Sequence, residues 1–582
     1  MAISARMDPC VPKSSEVNPA LKRALSAVYL FLVALILVMA LSRLMPIALT
    51  TDELLEYQGV VDHVRFARLV LQGGKPDLHD AIVYNLENYG IVAKLPAYLL
   101  GRLGGLAEPA DYASLALNAT PYQLYFQISH LTAILMGLAS SAVLIVVARA
   151  MNLRLAWLAG LILLLMPRFM GDSLFNIKDI PFAFFYLLYS TSLMLRLRMP
   201  SSGDVPVPAR LILFSAIAAG LMGSMKIVAL APVLITEALV AVIQPRRCRW
   251  LDGLHIGIDA FLISLLFTPA SWLEPLRFLN GAVKLFRSHD WPGGTWWNGQ
   301  FLSRVQDPIH WSTAGYLLRW IPSTTPLWIL LLAIVGAGCL LRGWPWQVPN
   351  DPEARSALLS RRRRLRLALP FLLQLLLLPA LAVLGNANLY DGVRHLLFIY
   401  PPLALLAAIG LDELLAAGAC FGSAKILRAG LIGVALFATL TLMDSFTLFP
   451  YAYVYVYEPM RFLLSPANTA YDYWVYAGSD AARGALRSLP STPAEPHPCI
   501  ARVELPDPVR AMMAPSLREV SCGPALSGAG VPEGKPMVLR LASGAQAAQP
   551  LCSSVTRWQW PWFRRTLATA CLEPIIPASL PR

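Results

Sequence analysis

Two adjacent carboxylates, Asp52 and Glu53, follow an apolar stretch that begins near Leu25. Ionisable groups at membrane depth are costly, so by default they mark a functional site. A carboxylate there can take the proton of a hydroxyl or amine that attacks a substrate. Asp52 with Glu56, and Glu53 with Tyr57, are four residues apart, which places each pair on one side of a helix. We therefore predict that Asp52 and Glu53 are catalytic and that Tyr57 contacts substrate.

A helix cap is the alternative interpretation of the same acids. Thr50 followed by Glu53 has the spacing of a capping box, and acidic residues are favoured at a helix N-terminus. A cap explains these acids, but it does not explain so many in one segment, where Glu56, Asp62, Asp77, Asp80 and Glu87 follow. A catalytic role is favoured over a cap for Asp52, and both interpretations stay open for Glu53.

A second charged cluster lies between two apolar runs, at residues 167–181. It contains Arg168, Asp172, Asn176, Lys178 and Asp179. We predict Asp179 as a second catalytic acid, and Lys178 and Asn176 as substrate-binding residues that include a cation for a phosphate. The alternatives are that Asp179 caps the following helix and that Lys178 only extends its ammonium group to the membrane interface.

The third cluster occupies a short turn, residues 385–395, before another apolar run. Its Arg394 and His395 are well placed to meet a phosphate, which a guanidinium group can bind through two hydrogen bonds. Ordinary surface charges in a turn are the alternative. A divalent cation between Asp52 and Asp179 is left open, because two carboxylates alone do not establish one. We predict no cofactor beyond that and no dedicated metal site.

The elements that position these clusters are membrane spans. The chain has 582 residues, of which 56% are hydrophobic and 14% are charged, against roughly 25% charged in soluble domains. Its mean hydropathy is +0.55. The apolar residues form long runs, which predicts an all-α polytopic membrane protein with about eleven spans. The runs lie at residues 25–48, 128–148, 154–170, 180–197, 210–225, 227–244, 252–271, 326–342, 367–385, 395–415 and 426–448.

The net charge of +13 supports a membrane topology rather than nucleic-acid binding. Much of it lies in short loops such as 244–249 and 361–366, which the positive-inside rule places in the cytoplasm. The N-terminus, residues 1–24, is then cytoplasmic, and an odd number of spans puts the C-terminus outside. The first span is too long for a cleaved signal peptide. We predict a transmembrane domain at 25–449 and an exported C-terminal domain at 450–582.

Three outer segments can build a site. Segment 50–126 has the half-apolar pattern of helices that lie in the membrane interface. Segment 272–325 holds six tryptophans, which favour an interfacial aromatic belt over sugar stacking for most of them. The C-terminal domain has the composition of a small α/β or irregular unit. Its Cys499, Cys522, Cys552 and Cys571 predict two disulfides with three possible pairings, whereas free thiols in the cytosol are the alternative.

The three clusters, in this order, resemble the polyprenol-phosphate-dependent membrane glycosyltransferases of the GT-C superfamily, glycosyltransferase family 39. That family includes protein O-mannosyltransferases and the lipid A aminoarabinose transferase. The resemblance spans roughly residues 20–480. Two departures are Ile177, where many members have Pro, and the lack of a His-Pro-Pro type motif in segment 50–126. The matching residues are Asp52-Glu53 with Tyr57, Asn176 to Pro181, Tyr390 to His395 ahead of Pro401-Pro402, and Tyr451 to Tyr457 leading to Tyr471-Asp-Tyr-Trp474.

The resemblance implies a GT-C-like fold in the bacterial inner membrane and an inverting transfer at its outer face. Asp52 would be the base, and the donor would be a sugar on a polyprenyl phosphate, with undecaprenyl phosphate as the expected carrier. The acceptor would be a cell-envelope glycan, lipid or protein, and membrane lipids would surround the chain. The alternative is a transporter or flippase of a lipid-linked sugar. Such proteins usually carry charged or broken helices near the bilayer midplane, whereas the acids here cluster at one face.

Overall fold

The structure is a computed structural model. It describes residues 19–43, 49–50, 52–78, 82, 86–199, 207–243, 250–288, 295–305, 307–342, 352–420, 424–464, 469, 475–488, 498–504, 510, 535–542, 552–559 and 563–574. Cys522 and the motif at 471–474 lie outside these residues. The α-helices are α1 (Pro19–Leu41), α2 (Glu53–Leu71), α3 (Leu95–Leu103), α4 (Tyr112–Leu117), α5 (Gln123–Ala150), α6 (Trp157–Leu164), α7 (Pro167–Asp172), α8 (Asp179–Arg198), α9 (Ala209–Met225), α10 (Leu230–Ile243), α11 (Trp250–Leu266), α12 (Pro275–Ser288), α13 (Thr313–Thr324), α14 (Leu327–Leu341), α15 (Pro352–Leu384), α16 (Tyr400–Cys420), α17 (Ala424–Leu448) and α18 (Tyr476–Arg487).

Among the described residues, six helices are long and apolar enough to cross a membrane. They correspond to the predicted spans that begin at 25, 128, 180, 367, 395 and 426. Helices α13 and α14 add a seventh if they form one span, although they meet at an angle of 114°. The other predicted spans coincide with shorter helices, so the membrane class is confirmed and the number eleven stays a prediction.

The bend between α13 and α14 has a local cause. Pro326 has no amide hydrogen to donate, and its ring disfavours a helical conformation at the preceding residue. Thr325 is accordingly extended, with φ −113° and ψ 130°. The chain therefore leaves α13 in a new direction and enters α14, whose residues pack closely against α16.

Small residues allow that close packing. Gly336 on α14 faces the backbone of Leu406 on α16, and Gly410 on α16 faces the backbone of Leu332 on α14. A Cβ atom at either glycine would collide with a carbonyl oxygen of the other helix. This reciprocal contact resembles the small-residue interfaces that membrane helices use when lipid offers them no hydrophobic driving force.

The C-terminal residues form a small α/β unit, as predicted. Its four-stranded sheet has the order β3-β4-β6-β5, with β3 parallel to β4 and the other pairs antiparallel. Helix α18 packs on the sheet through small side chains such as Ala481 and Ala485. A disulfide joins Cys552 to Cys571, as one of the three predicted pairings has it, whereas the second predicted disulfide would involve Cys522 and lies outside the described residues. The strands are β3 (Pro498–Glu504), β4 (Lys535–Ala542), β5 (Cys552–Gln559) and β6 (Phe563–Pro574), whereas β1 (Thr295–Trp297) and β2 (Gln300–Leu302) form a separate hairpin.

This C-terminal unit is docked on the helical body. The ring of Tyr476, at the start of α18, stacks on Phe175 with centroids 5.6 Å apart. Asp480 forms an ion pair with Arg43 at 3.0 Å, and it also accepts a hydrogen bond from the hydroxyl of Tyr451. The unit is therefore in contact with the segment that follows α1 and with the loop between α7 and α8.

The α14–α16 contact generates the first prediction. Gly336→Ala should lower the Tm of the purified protein by several degrees, because the added methyl forces the two backbones apart at a cost of about 1–3 kcal/mol. Gly338→Ala is the matched control on the same helix, since nothing lies within 4 Å of a Cβ there. Its Tm should stay constant or rise slightly. Equal Tm values for the two variants in thermal unfolding would contradict the packing.

Candidate active site

Arg394 is held by a tight turn that other segments support. Asp391 and Gly392 both have positive φ values, +58° and +76°. The amide of Asp391 donates to Thr295 Oγ1 at 2.9 Å, and that of Gly392 donates to the hydroxyl of Tyr316 at 2.7 Å. Strand β1 and helix α13, both from segment 272–325, thus fix the turn. The Arg394 side chain that follows is buried, with 4% of its surface exposed.

Arg394 and Asp52 meet directly. The guanidinium Nη1 lies 2.6 Å from Asp52 Oδ2, although the two residues are 342 positions apart. Its Nη2 donates to Asp391 at 3.2 Å. The Asp52 side chain keeps 20% of its surface exposed, so it is the more accessible member of the pair. The structure therefore joins the first and third sequence clusters.

Glu56, one turn after Asp52, brings two lysines together. Its carboxylate contacts the ammonium group of Lys94 and lies 3.1 Å from that of Lys178. The Lys178 ammonium group also lies 4.3 Å from the centre of the Tyr89 ring. Burial lowers the pKa of Lys94 to about 7, and the nearby Lys178 acts in the same direction, whereas Asp52 opposes the shift. Lys94 is thus a buried amine that titrates near neutrality.

The predicted acid Asp179 pairs with a lysine that the sequence did not single out. Lys226 Nζ lies 2.6 Å from Asp179 Oδ1. Asn176 holds the acid in place, because its Oδ1 accepts from the Asp179 amide at 2.8 Å and its Nδ2 donates to Oδ2 at 3.2 Å. Asn176 also accepts from the amide of Lys178 at 3.2 Å. In the structure, Asn176 accepts from the two amides at the start of α8 and orients Asp179.

Glu53 is buried and forms hydrogen bonds with other residues of the protein. One carboxylate oxygen lies 2.5 Å from Nε2 of His130, and the other accepts from the amide of Thr50 at 2.6 Å. Both side chains of the Glu53–His130 pair are buried, with 5% and 3% of their surface exposed. The hydrogen bond to Thr50 is half of the capping box that the sequence offered as the alternative. These contacts favour a positioning role for Glu53.

Tyr57 is not brought into the charged cluster. Its side chain is fully buried, and its ring stacks on Tyr125 with centroids 4.0 Å apart. Phe126 and Tyr122 pack around the same ring. The position of Tyr57, four residues after Glu53, is explained by the packing of α2 against α5. The burial of the Tyr57 ring therefore does not support the predicted contact with substrate.

An apolar cavity opens beside the cations. It has a volume of about 140 Å³, and its walls include Lys226, His395 and Tyr390 together with the apolar side chains of Phe182 and Leu378. A second apolar cavity of about 280 Å³ shares Ile227 and Val228 with the first. Helix α12 contributes to both cavities. The site thus combines a cluster of ion pairs with adjoining apolar space.

The tryptophans of segment 272–325 correct one prediction. Trp297, Trp311 and Trp320 are buried in the protein, and the Trp297 and Trp320 rings pack edge to face 4.9 Å apart. An interfacial belt is wrong for these three, because the hairpin β1–β2 and α13 fold inward against the turn that carries Arg394.

The sequence contained signals for the residues that were missed. Lys226 is a lone charge between the apolar runs 210–225 and 227–244, and His130 is an ionisable residue just inside an apolar run. Both are positions at which a charge is expensive without a partner. Their partners, Asp179 and Glu53, come from other segments, which no local pattern reveals.

The chain matches no protein-family model and, at a significant level of similarity, no curated protein. The family resemblance therefore depends on the order of the clusters in the sequence. In the part of the chain that the structure describes, no group of three or more His, Cys, Asp and Glu residues is placed to hold a metal ion. Asp52 and Asp179 each have a protein cation as partner instead.

The Glu53–His130 pair generates the second prediction. His130→Leu leaves a carboxylate buried without its imidazole, which should cost about 3–5 kcal/mol of the free energy of unfolding. The double variant Glu53→Leu with His130→Leu removes both polar groups and should recover part of that loss. Thermal unfolding of the purified proteins measures this, with His310→Leu at an exposed position as control. If the double variant lost as much free energy of unfolding as Glu53→Leu and His130→Leu lose together, the pairing would be ruled out.

Proposed function

We propose that this protein transfers a sugar from a polyprenyl-phosphate donor to an acceptor at the outer face of a bacterial inner membrane. Undecaprenyl phosphate is the proposed carrier, and the acceptor is a glycan, lipid or protein of the cell envelope. The observation that carries the proposal is the meeting of Asp52 and Arg394 in a cluster with Lys94 and Lys178. A reactive carboxylate and several cations are the two parts that such a transfer needs.

The reaction can be assigned to particular groups. The acceptor oxygen or nitrogen attacks C1 of the sugar while its proton passes to the Asp52 carboxylate. The bond between C1 and the phosphate oxygen breaks, and the electron pair leaves with the polyprenyl phosphate. Attack opposite to the leaving group inverts the configuration at C1. Arg394 and the lysines stabilise the negative charge that develops on the phosphate.

The surroundings of the cations support a lipid-linked donor. The cavity lined by Lys226 and His395 also has apolar walls, which include Phe182 and Leu378. An anionic head group would lie next to Lys226, and the first isoprene units would contact the apolar walls. A soluble nucleotide sugar has no apolar chain to fill this space.

Asp52→Asn generates the third prediction. The variant should insert normally but lose transfer by a factor on the order of 10²–10⁴, the usual contribution of a general base. Mass analysis of envelope glycans, from cells with matched membrane levels of wild type and variant, should show one sugar mass missing from one component. Asp77→Asn, an exposed acid of the same segment, is the control and should leave the glycans unchanged.

Two outcomes would contradict the proposal. Near-normal transfer by a correctly inserted Asp52→Asn protein would remove Asp52 as the base. An unchanged glycan profile, together with loss of a lipid-linked sugar from the outer leaflet, would assign the protein to transport instead.

The fourth prediction follows from Lys94 and concerns the pH dependence of donor binding. Its pKa of about 7 means that the ammonium form, which can hold a phosphate, is lost as pH rises through neutrality. Binding of undecaprenyl phosphate to the purified protein should therefore weaken between pH 6 and pH 9. Lys94→Arg keeps its charge across that range, so its affinity should change much less.

Native mass spectrometry over this pH range measures the affinity. The phosphate itself titrates in the same way with both proteins, so the difference between them reports on Lys94. Lys75→Arg, at an exposed lysine of the same segment, should follow the wild type. Parallel pH profiles for wild type and Lys94→Arg would exclude Lys94 as a phosphate ligand.

A further inference from the structure

Asp52 is the most exposed of the acids that pair with the cations of the candidate site. Its side chain keeps 20% of its surface exposed, against 9% or less for Glu56, Asp179 and Asp391. An exposed carboxylate can leave its cation and be hydrated, whereas a buried one would lose its partner without gaining water. Asp52 is therefore the acid of the site that another anion can replace at the lowest cost.

The side chain of Asp52 does not cap the helix that follows it. Asp52 occupies the N-cap position of α2, yet its carboxylate makes no capping hydrogen bond. The adjacent Glu53 accepts from the amide of Thr50 instead. Movement of the Asp52 side chain would therefore leave the start of α2 intact.

Arg394 can exchange one partner and keep the other. Its Nη1 donates to Asp52 at 2.6 Å, and its Nη2 donates to Asp391 at 3.2 Å. Asp391 belongs to the same turn, only three positions away, so the second contact stays when the first is lost. A guanidinium group presents its N–H groups in a rigid fork that matches a phosphate as well as a carboxylate. Arg394 would thus remain in place for a phosphate oxygen at Nη1.

The guanidinium group of Arg394 is close to the cavity that holds Lys226. Its central carbon lies 5.3 Å from the centre of the Tyr390 ring. Tyr390 forms part of the cavity wall together with Lys226 and His395. Only one aromatic ring therefore separates Arg394 from a cavity whose walls are partly apolar.

We propose that the donor phosphate displaces Asp52 from Arg394 and thereby releases the base. The carboxylate of Asp52 and the phosphate compete for Nη1 of the same guanidinium group. While Asp52 is paired, one of its oxygens already accepts a charged hydrogen bond and is a poor acceptor for a further proton. Once the phosphate has taken its place, the carboxylate can accept the proton of the attacking group.

This inference rests on the proposed function and adds two statements to it. Arg394 is the residue that exchanges an acid for the donor phosphate, and the donor binds before the acceptor can be activated. The ion pair thus keeps the base paired until the group to be transferred has arrived.

Competition for Arg394 gives the fifth prediction. Asp52→Asn should bind undecaprenyl phosphate roughly fivefold more tightly than the wild type, because an ion pair no longer has to be broken. Asp391→Asn is the matched variant, since it also removes an acid from Arg394 and asparagine tolerates the positive φ of this position. Asp391 does not occupy the place of the phosphate, so the gain should be much smaller. Native mass spectrometry of the purified full-length proteins measures these affinities, with Asp77→Asn as the control that should bind as the wild type does.

A second background tests whether the gain depends on Arg394. In Arg394→Gln, the further change Asp52→Asn should bring little gain, because there is no guanidinium group for which to compete. Should Arg394→Gln not fold, the comparison of Asp52→Asn with Asp391→Asn decides alone. Equal affinities of wild type and Asp52→Asn, equal gains from Asp52→Asn and Asp391→Asn, or a full gain in the Arg394→Gln background would each overturn the displacement of Asp52.

Undecaprenol, which lacks the phosphate, separates this inference from the proposed function. Binding of undecaprenyl phosphate no tighter than that of undecaprenol would overturn both. A clear preference for the phosphate that Asp52→Asn does not increase would overturn only the displacement of Asp52 and would leave the proposed transfer standing.

Discussion

The ion pair between Asp52 and Arg394 is the contact on which the proposed site depends. A guanidinium group with 4% of its surface exposed is destabilising in a protein interior unless a carboxylate compensates it. This requirement brings the segment after α1 against the turn before α16, 342 positions away. Thr295 on β1 and Tyr316 on α13 accept hydrogen bonds from the backbone of that turn. They therefore keep the guanidinium group where Asp52 can reach it.

The same compensation organises the other charges of the site. Glu56 forms ion pairs with Lys94 and Lys178. Asp179 forms an ion pair with Lys226, and Asn176 orients the Asp179 carboxylate. Acids therefore act in two ways. Some hold cations in a cluster, and Asp52 remains partly exposed, as the proposed base would have to be. The surrounding apolar walls lower the local dielectric constant, which strengthens each of these interactions.

The sequence predicted the membrane class, the positions of the long helices and the outer clusters, because hydropathy and charge are local properties. It also predicted that Asp52, Asp179, Lys178 and Arg394 would belong to one site, through the order of their motifs. The burial of Tyr57 and of three tryptophans was not foreseen, because burial depends on which segments pack together. Lys226 and His130 were missed for the same reason, since their partners are distant in sequence.

The docking of the C-terminal unit has a consequence for how this chain can change over evolution. Tyr476 stacks on Phe175, which also lies against His130, the partner of Glu53. Replacing the unit by an unrelated one would expose the Phe175 ring and leave Arg43 without Asp480. The unit is therefore not a freely exchangeable module, and recombination between chains would have to carry both sides of this contact together.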